Sequence, residues 1–310
     1  MRVLITGASG LLGSNLVLAA FDAGHQVFAT SLTRSIKLSD VDWRAADLTS
    51  PEESAALMNA VEPDWVIHCA AATDVDQCEA DPAWAFSLNR NMARNVAEAA
   101  REAGAVHVHI STDAVFDGGS GPHAETDEAT PINIYGSSKL EGEQVVADAH
   151  PEAAIVRTNI YGWSPPGRSS LAEWFLEYLR QGKSRPGFTD IRINPLLVNQ
   201  LAVLLLHVLE AGLSGIYHIA SRDTITKYEL GVRIAQEFEL DADLIRPTES
   251  EQAGLQASRP KYLALQIGKI ERDLGVRMQA VKDGVASLHR LEQEGHRERL
   301  QSLLLEHEQS

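Results

Sequence analysis

Cysteine is nearly missing: among 310 residues only Cys69 and Cys78 occur, with no CxxC pair and no Cys/His cluster at ligand spacing. That argues against a disulfide framework and a structural zinc site, and no metal is expected. Positive charge is also scarce. Lys and Arg total 27 against 43 Asp and Glu, a formal net charge of -16, which argues against a nucleic acid partner because phosphate backbones are bound by clustered cations. Long apolar runs are absent as well. The best stretch, "LLVNQLAVLLLHVLEAGL" from Leu196, is broken by Asn199, Gln200 and His207 and reads as a buried or amphipathic helix, not a membrane span. A strand pattern begins within three residues of Met1, with no room for a signal peptide, so the expected compartment is the cytoplasm.

What is present is a 44% hydrophobic chain long enough to bury a sizeable core. Over the first 160 residues or so, short β-branched runs ("RVLITG", "QVFAT", "WVIHCAA", "VHVHIS", "AIVRTN") alternate with helical patterns at 11–23, 51–61, 83–103 and 135–149. The alternation predicts an α/β fold, a doubly wound parallel sheet with helices on both faces. The apolar strands at 3–5, 66–69, 106–110 and 155–156 are expected at its centre. After Tyr161, "GWSPPGRSS" leads out of the sheet. The segment 215–221 reads as one more strand, and 227–238 as a helix capped by Thr224 or Thr226. The charged stretch 288–310 reads as a surface helix or frayed tail, with a subunit contact as the alternative. The segments 91–100 and 201–209 suit either a core or an interface, which keeps a homodimer open.

Thr6-Gly7-Ala8-Ser9-Gly10-Leu11-Leu12-Gly13 follows a strand and opens an apolar-periodic helix. Gly7 allows a tight turn, Gly10 lets backbone approach a diphosphate, and Gly13 allows close helix–strand packing, while the helix start attracts the anion. Gly7, Ser9, Gly10, Leu11, Leu12 and Gly13 are therefore expected to cradle a dinucleotide pyrophosphate. The second strand ends in "VFATSLTR" without the carboxylate that would hold the ribose hydroxyl of NAD. Ser31 and Arg34 would suit a 2′-phosphate, favouring NADP over NAD. Asp47 and Leu48 suit the adenine edge, and the small residues Ala70, Ala71 and Ala72 leave space for the cofactor.

Tyr135 and Lys139 in "YGSSK" are four residues apart and share one helix face. A neighbouring ammonium should bring the phenol's pKa down towards neutrality, fitting it for proton transfer. Thr112, in "HISTDAVFDG", could donate to the same substrate oxygen.

These segments, with "ETDEATPINIYGSSKLEGE" at 125–143 and "VRTNIYGW" at 156–163, resemble the extended short-chain dehydrogenase/reductases. Within them the likeness is closest to the dTDP-4-dehydrorhamnose reductases and their sugar-nucleotide-binding relatives, which include a regulatory subunit of methionine adenosyltransferase. It spans roughly residues 1 to 285. The resemblance implies a Rossmann domain over 1–163, with 191–222 returning to it, a substrate-binding region over 164–190 and 223–287, and a charged helical tail over 288–310. It also implies that Thr112, Tyr135 and Lys139 form a catalytic triad for NAD(P)H-dependent reduction of a nucleotide-linked 4-keto-6-deoxysugar. Thr73, Asp113, Ala114 and Arg259 would face that substrate, with Lys261 a further nucleotide-sugar candidate. Ala114 stands where these reductases carry a tyrosine and where the resembled dehydratases carry a glutamate, and His123-Ala124 replaces a Pro-Trp type pair. Both departures fall on the expected sugar pocket. An epimerase and a non-catalytic NAD(P)-binding regulatory subunit are the alternatives.

Overall fold

Strand character decides the frame of this computed structural model, which describes residues 1–305 apart from Thr33 and Arg168. The chain runs β1 (Arg2–Thr6), α1 (Leu11–Asp22), β2 (Gln26–Thr30), β3 (Ser35–Ile36), β4 (Val41–Arg44), α2 (Pro51–Val61) and β5 (Trp65–His68). Then follow α3 (Val75–Ala80), α4 (Pro82–Phe86), a π-helical turn over Ser87–Asn91, α5 (Met92–Glu102), β6 (Val106–Thr112), α6 (Ile134–Ala149), β7 (Ala154–Thr158) and β8 (Ile160–Tyr161). Beyond these lie α7 (Leu171–Arg180), β9 (Arg185–Phe188), β10 (Arg192–Ile193), β11 (Leu196–Leu197), α8 (Val198–Glu210), β12 (Gly215–His218) and β13 (Ile225–Thr226). The last elements are α9 (Lys227–Glu237), β14 (Ile245–Thr248), α10 (Gly268–Leu274), α11 (Val281–Gln293), α12 (His296–Leu303) and β15 (Leu304–Leu305).

Seven strands pair in parallel in the order β12-β7-β6-β5-β1-β2-β4. This is a Rossmann-type sheet. The two-residue period of a strand sends Val3 and Ile5 of β1 into the core shared with α1 and α8, and Leu4 into the opposite core with Leu57, Met58 and Val96 of α2 and α5. Both faces are therefore covered, which is why these strands read as continuous apolar runs. The chain leaves β1 for β2 and β4 on one side, then returns to build β5, β6, β7 and β12 on the other. That reversal opens a crevice at the carboxyl ends of β1 and β5, where ligands of doubly wound sheets bind.

The segment from Leu196 is α8, buried at Leu201, Leu204, Leu205, Leu206, Val208 and Leu209, and the 91–100 segment buries Met92, Val96 and Ala100. Both serve the core of a single chain. Among the described residues no helix is long and apolar enough to cross a membrane. The 83–103 pattern does not run as one helix: the π turn at 87–91 rotates Asn89 inward, where it accepts from Ala72 N–H at 2.8 Å and donates to Ala72 O at 3.0 Å. Nor is the tail simply solvated. Leu300 and Leu303 of α12 are fully buried; residues 306–310 lie outside the described residues.

On the other side of the crevice, β9 pairs with β14 and β10 with β13. Above them α9 starts in a capping box, Glu229 N–H to Thr226 Oγ1 at 3.0 Å and Thr226 N–H to Glu229 Oε2 at 2.7 Å. The cap is thus Thr226, not Thr224.

Candidate active site

The turn between β1 and α1 is built from close backbone contacts. Gly7 has φ +62, and a Cβ there would lie 2.6 Å from Ala70 N; a Cβ on Gly13 would lie 2.2 Å from Gly7 O. No side chain fits at either position, so backbone forms the floor. The first helical hydrogen bond of α1 runs from Ser14 N–H to Gly10 O, and Gly10 offers no side-chain cap. The N–H groups of Leu11, Leu12 and Gly13 thus have no intrahelical acceptor and face the crevice, the arrangement that takes a diphosphate. Thr6 Oγ1 accepts from Cys69 N–H at 3.2 Å and Ala70 N–H at 3.3 Å, holding the end of β5 beside the turn.

A cleft of about 640 Å³ opens there, a size suited to a small-molecule ligand. Gly7, Ser9, Gly10, Leu11, Leu12, Gly13, Ser31, Asp47, Leu48, Ala70 and Ala71 line one half of it. Thr73, Thr112, Asp113, Ala114, Tyr135, Lys139 and Arg259 line the other. Two expected cofactor contacts are placed elsewhere. Arg34 turns away from the cleft and donates to Pro166 O, because a carbonyl in the neighbouring loop meets the guanidinium first. Ala72 is buried against Asn89 and shapes the loop from behind. The Asp47 carboxylate is engaged within its own turn, accepting from Thr49 N–H at 3.0 Å and Thr49 Oγ1 at 2.7 Å.

Helix α6 sets the height at which Tyr135 and Lys139 enter the cleft. Asn133 caps it, its Oδ1 accepting from Gly136 N–H at 2.8 Å. A Cβ on Gly136 would lie 2.3 Å from Ala114 O, and one on Gly142 would lie 2.2 Å from Asn89 O. These two glycines let α6 rest directly on the turn after β6 and on the π turn. Tyr135 and Lys139 then project into the cleft one helical turn apart.

Lys139 is 3% exposed and its Nζ donates to Ile110 O at 2.7 Å. Burial lowers its pKa to about 8, against the opposing field of Glu143. Burial pushes the Tyr135 phenol up to about 12, with the Thr112 hydroxyl pulling it down and the Asp113 carboxylate pushing it up. The expectation of a phenol sharpened by Lys139 is therefore not met: burial dominates the shift, and the Lys139 ammonium is committed to a backbone carbonyl. The phenol carries its proton throughout the neutral range. Asp113, 2% exposed, accepts from Asn159 Nδ2 at 2.7 Å, and burial raises its pKa to about 6.

At the other end of the cleft, Arg259 pairs with Asp76 at 3.0 Å and donates to Ala257 O at 2.8 Å. Lys227, the first residue of α9, joins it in the lining, its pKa lowered by burial and supported by Asp113. The sequence pattern singles out neither Lys227 nor Asn159, although Lys227 directly follows the capping residue Thr226. Lys261 instead pairs with Glu251 at 2.9 Å at the surface. The departure at 123–124 also falls outside the cleft: His123 stacks on Phe116 with ring centroids 4.1 Å apart. Ala114 alone carries a departure into the lining. Cys69 lines the cleft too, as a free thiol pushed up to about 12 by burial.

The chain is similar to known proteins over most of its length. The family model described as RmlD substrate binding domain matches residues 1–293. The chain is 34% identical over 292 residues to the probable low-salt glycan biosynthesis reductase Agl14 of Haloferax volcanii, covering 93% of this chain and 97% of that one. It is 35% identical over 271 residues to dTDP-4-dehydrorhamnose reductase of Mycobacterium tuberculosis, covering 85% and 84%. The solved structure of dTDP-4-dehydrorhamnose reductase from Bacillus anthracis in complex with NADP superposes with a TM-score of 0.81 at 29% identity, covering 93% of this chain and 98% of that one.

Proposed function

Because the chain belongs to the RmlD substrate binding domain family, a group of extended short-chain dehydrogenase/reductase-type oxidoreductases that use NADP or NAD, we propose that it reduces the C4 ketone of a nucleotide-linked 6-deoxysugar. The observation that carries this reading is the meeting of the glycine turn with Thr112, Tyr135 and Lys139 in one cleft.

The residues fit a dinucleotide: glycine backbone and free N–H groups would hold the pyrophosphate, Ser31 and Leu32 the ribose, and Asp47 and Leu48 the adenine. When bound in reduced form it supplies a hydride. Tyr135 holds at its hydroxyl the proton that the reduced carbonyl oxygen needs, and its raised pKa keeps it loaded at neutral pH. The Thr112 hydroxyl acts on that phenol, pulling its pKa down, and would share the same oxygen. Lys139, buried one turn further along α6, supplies positive charge behind the phenolate left by proton transfer. Lys227 and Arg259 at the opposite end of the cleft suit the diphosphate of a nucleotide-sugar. We take NADP as the preferred cofactor on the strength of the NADP-bound relative, since Arg34 gives no support. We likewise assign 1–163 and 191–222 to the dinucleotide, and 164–190 and 223–287 to the substrate.

The test mixes the purified chain with NADPH and dTDP-4-dehydro-6-deoxy-L-mannose and follows nicotinamide absorbance. Stoichiometric loss is expected. Turnover without net NADPH consumption would indicate an epimerase. Binding of NADPH with no turnover across a panel of keto-sugar nucleotides would leave the regulatory alternative.

A further inference from the structure

The matched family region ends at residue 293, yet the chain continues into α12, which grips three segments at once. The first is α1. His296 Nε2 bonds Asn15 Oδ1 at 2.8 Å, and Asn15 in turn donates to Leu11 O at 2.8 Å, at the start of the same helix. Further along, Arg299 forms a two-pronged pair with Asp22, at 2.6 and 2.7 Å. The second is the stretch after β2: Lys37 N–H donates to Leu303 O at 2.6 Å, and β15 continues the contact by pairing antiparallel with β3. The third is the loop after β8. Asn15 Nδ2 donates to Trp163 O at 3.0 Å, and the Arg297 guanidinium lies 5.1 Å from the Trp163 ring centroid.

The other ends of these three segments are walls of the cleft: Gly10 and Gly13, Ser31 and Leu32, Ser164 and Ser170. Arg34 ties the second to the third through Pro166 O. In a doubly wound fold the helix start takes the pyrophosphate and the end of the second strand takes the adenosine ribose. We infer that α12 clamps the adenosine half of the cleft and so sets how fast a bound dinucleotide leaves. The inference rests on the dinucleotide reading of the cleft and assigns it a determinant outside the catalytic residues. Leu300 and Leu303, both buried, anchor the clamp in the core, so the segment holds its grip without touching the reacting groups.

NADPH release, followed by fluorescence after dilution into a trap, tests this. A chain ending at Gly295 should release NADPH about tenfold faster, within the usual range of coupling between sites. Should that chain fail to fold, Arg299→Glu, which sets a like charge against Asp22, should speed release about threefold, as fits a half-exposed pair. Restoring the pair with Asp22→Arg should return the parental rate, and kcat at saturating NADPH should stay unchanged in both variants. Coupling is reciprocal, so NADPH should slow backbone hydrogen exchange at 296–303 in the parent chain. Parental release rates in the variants, or exchange at α12 unaffected by NADPH, would overturn the clamp. A parent chain that binds neither NADPH nor NADH would instead remove the dinucleotide reading beneath it.

Discussion

Glu143 and Arg157 meet as a buried, two-pronged ion pair, Nη2 to Oε2 at 2.7 Å and Nε to Oε1 at 3.0 Å, with side chains 3% and 4% exposed. Ser111 donates to the same carboxylate. The pair thus joins α6, β6 and β7 behind the reactive face, one turn from Lys139. Removing one partner leaves the other charged and buried, a loss of about 3–5 kcal/mol. Arg157→Met should therefore lower unfolding stability by about that amount in urea melts, while the double variant with Glu143→Leu recovers most of it. A single variant within error of the parent would refute this account of the pair.

Tyr135→Phe removes the phenolic hydroxyl proposed to give the proton while keeping the ring. Turnover should drop at least about a hundredfold, the usual contribution of a positioned acid, with NADPH affinity near the parental value. Steady-state kinetics beside a fluorescence titration check both halves. Full retained activity would take Tyr135 out of the mechanism.

Asp113 gives a pH signature whose sign follows from burial. Its pKa rises from 3.8 to about 6 on folding, so in that window the folded chain holds a proton that the unfolded chain has lost. This contribution to stability is present below 3.8 and is lost as pH climbs to about 6. Asp113→Asn should accordingly gain stability relative to the parent across that interval. Parallel stability curves for the two chains over the interval would show that Asp113 does not titrate there.

Arg34 engages Pro166 O and not the cleft. Arg34→Ala should then weaken NADPH and NADH by similar factors, as loosening of a loop would. A selective loss of NADPH in paired titrations would return Arg34 to a 2′-phosphate.

Strands and glycine turn were legible because each follows from a local rule. Val3 to Ile5 are apolar since both sheet faces are covered, and Gly7 and Gly13 are glycines since backbone lies where a side chain would go. The spacing of Tyr135 and Lys139 was equally readable from helical period. Desolvation was not, and it decides the sign of the phenol's shift: a four-residue interval reveals a shared face but nothing of how deeply both groups are buried. The direction of Arg34, the inward turn of Asn89 and the docking of Leu300 and Leu303 depend on partners more than forty residues away or on a local change of helical pitch. Lys227 escaped because nothing adjacent to it in the chain is chemical; only folding sets it beside Asp113 and Arg259.

The contact between Gly136 and Ala114 is made by the main-chain oxygen of residue 114, a residue that also lines the cleft. The absence of a side chain at 136 is what lets the main chain at 114 approach the helix that carries Tyr135 this closely. What seats Tyr135 is thus a main-chain atom and a missing side chain, so the register of the helix does not hang on which side chain residue 114 carries.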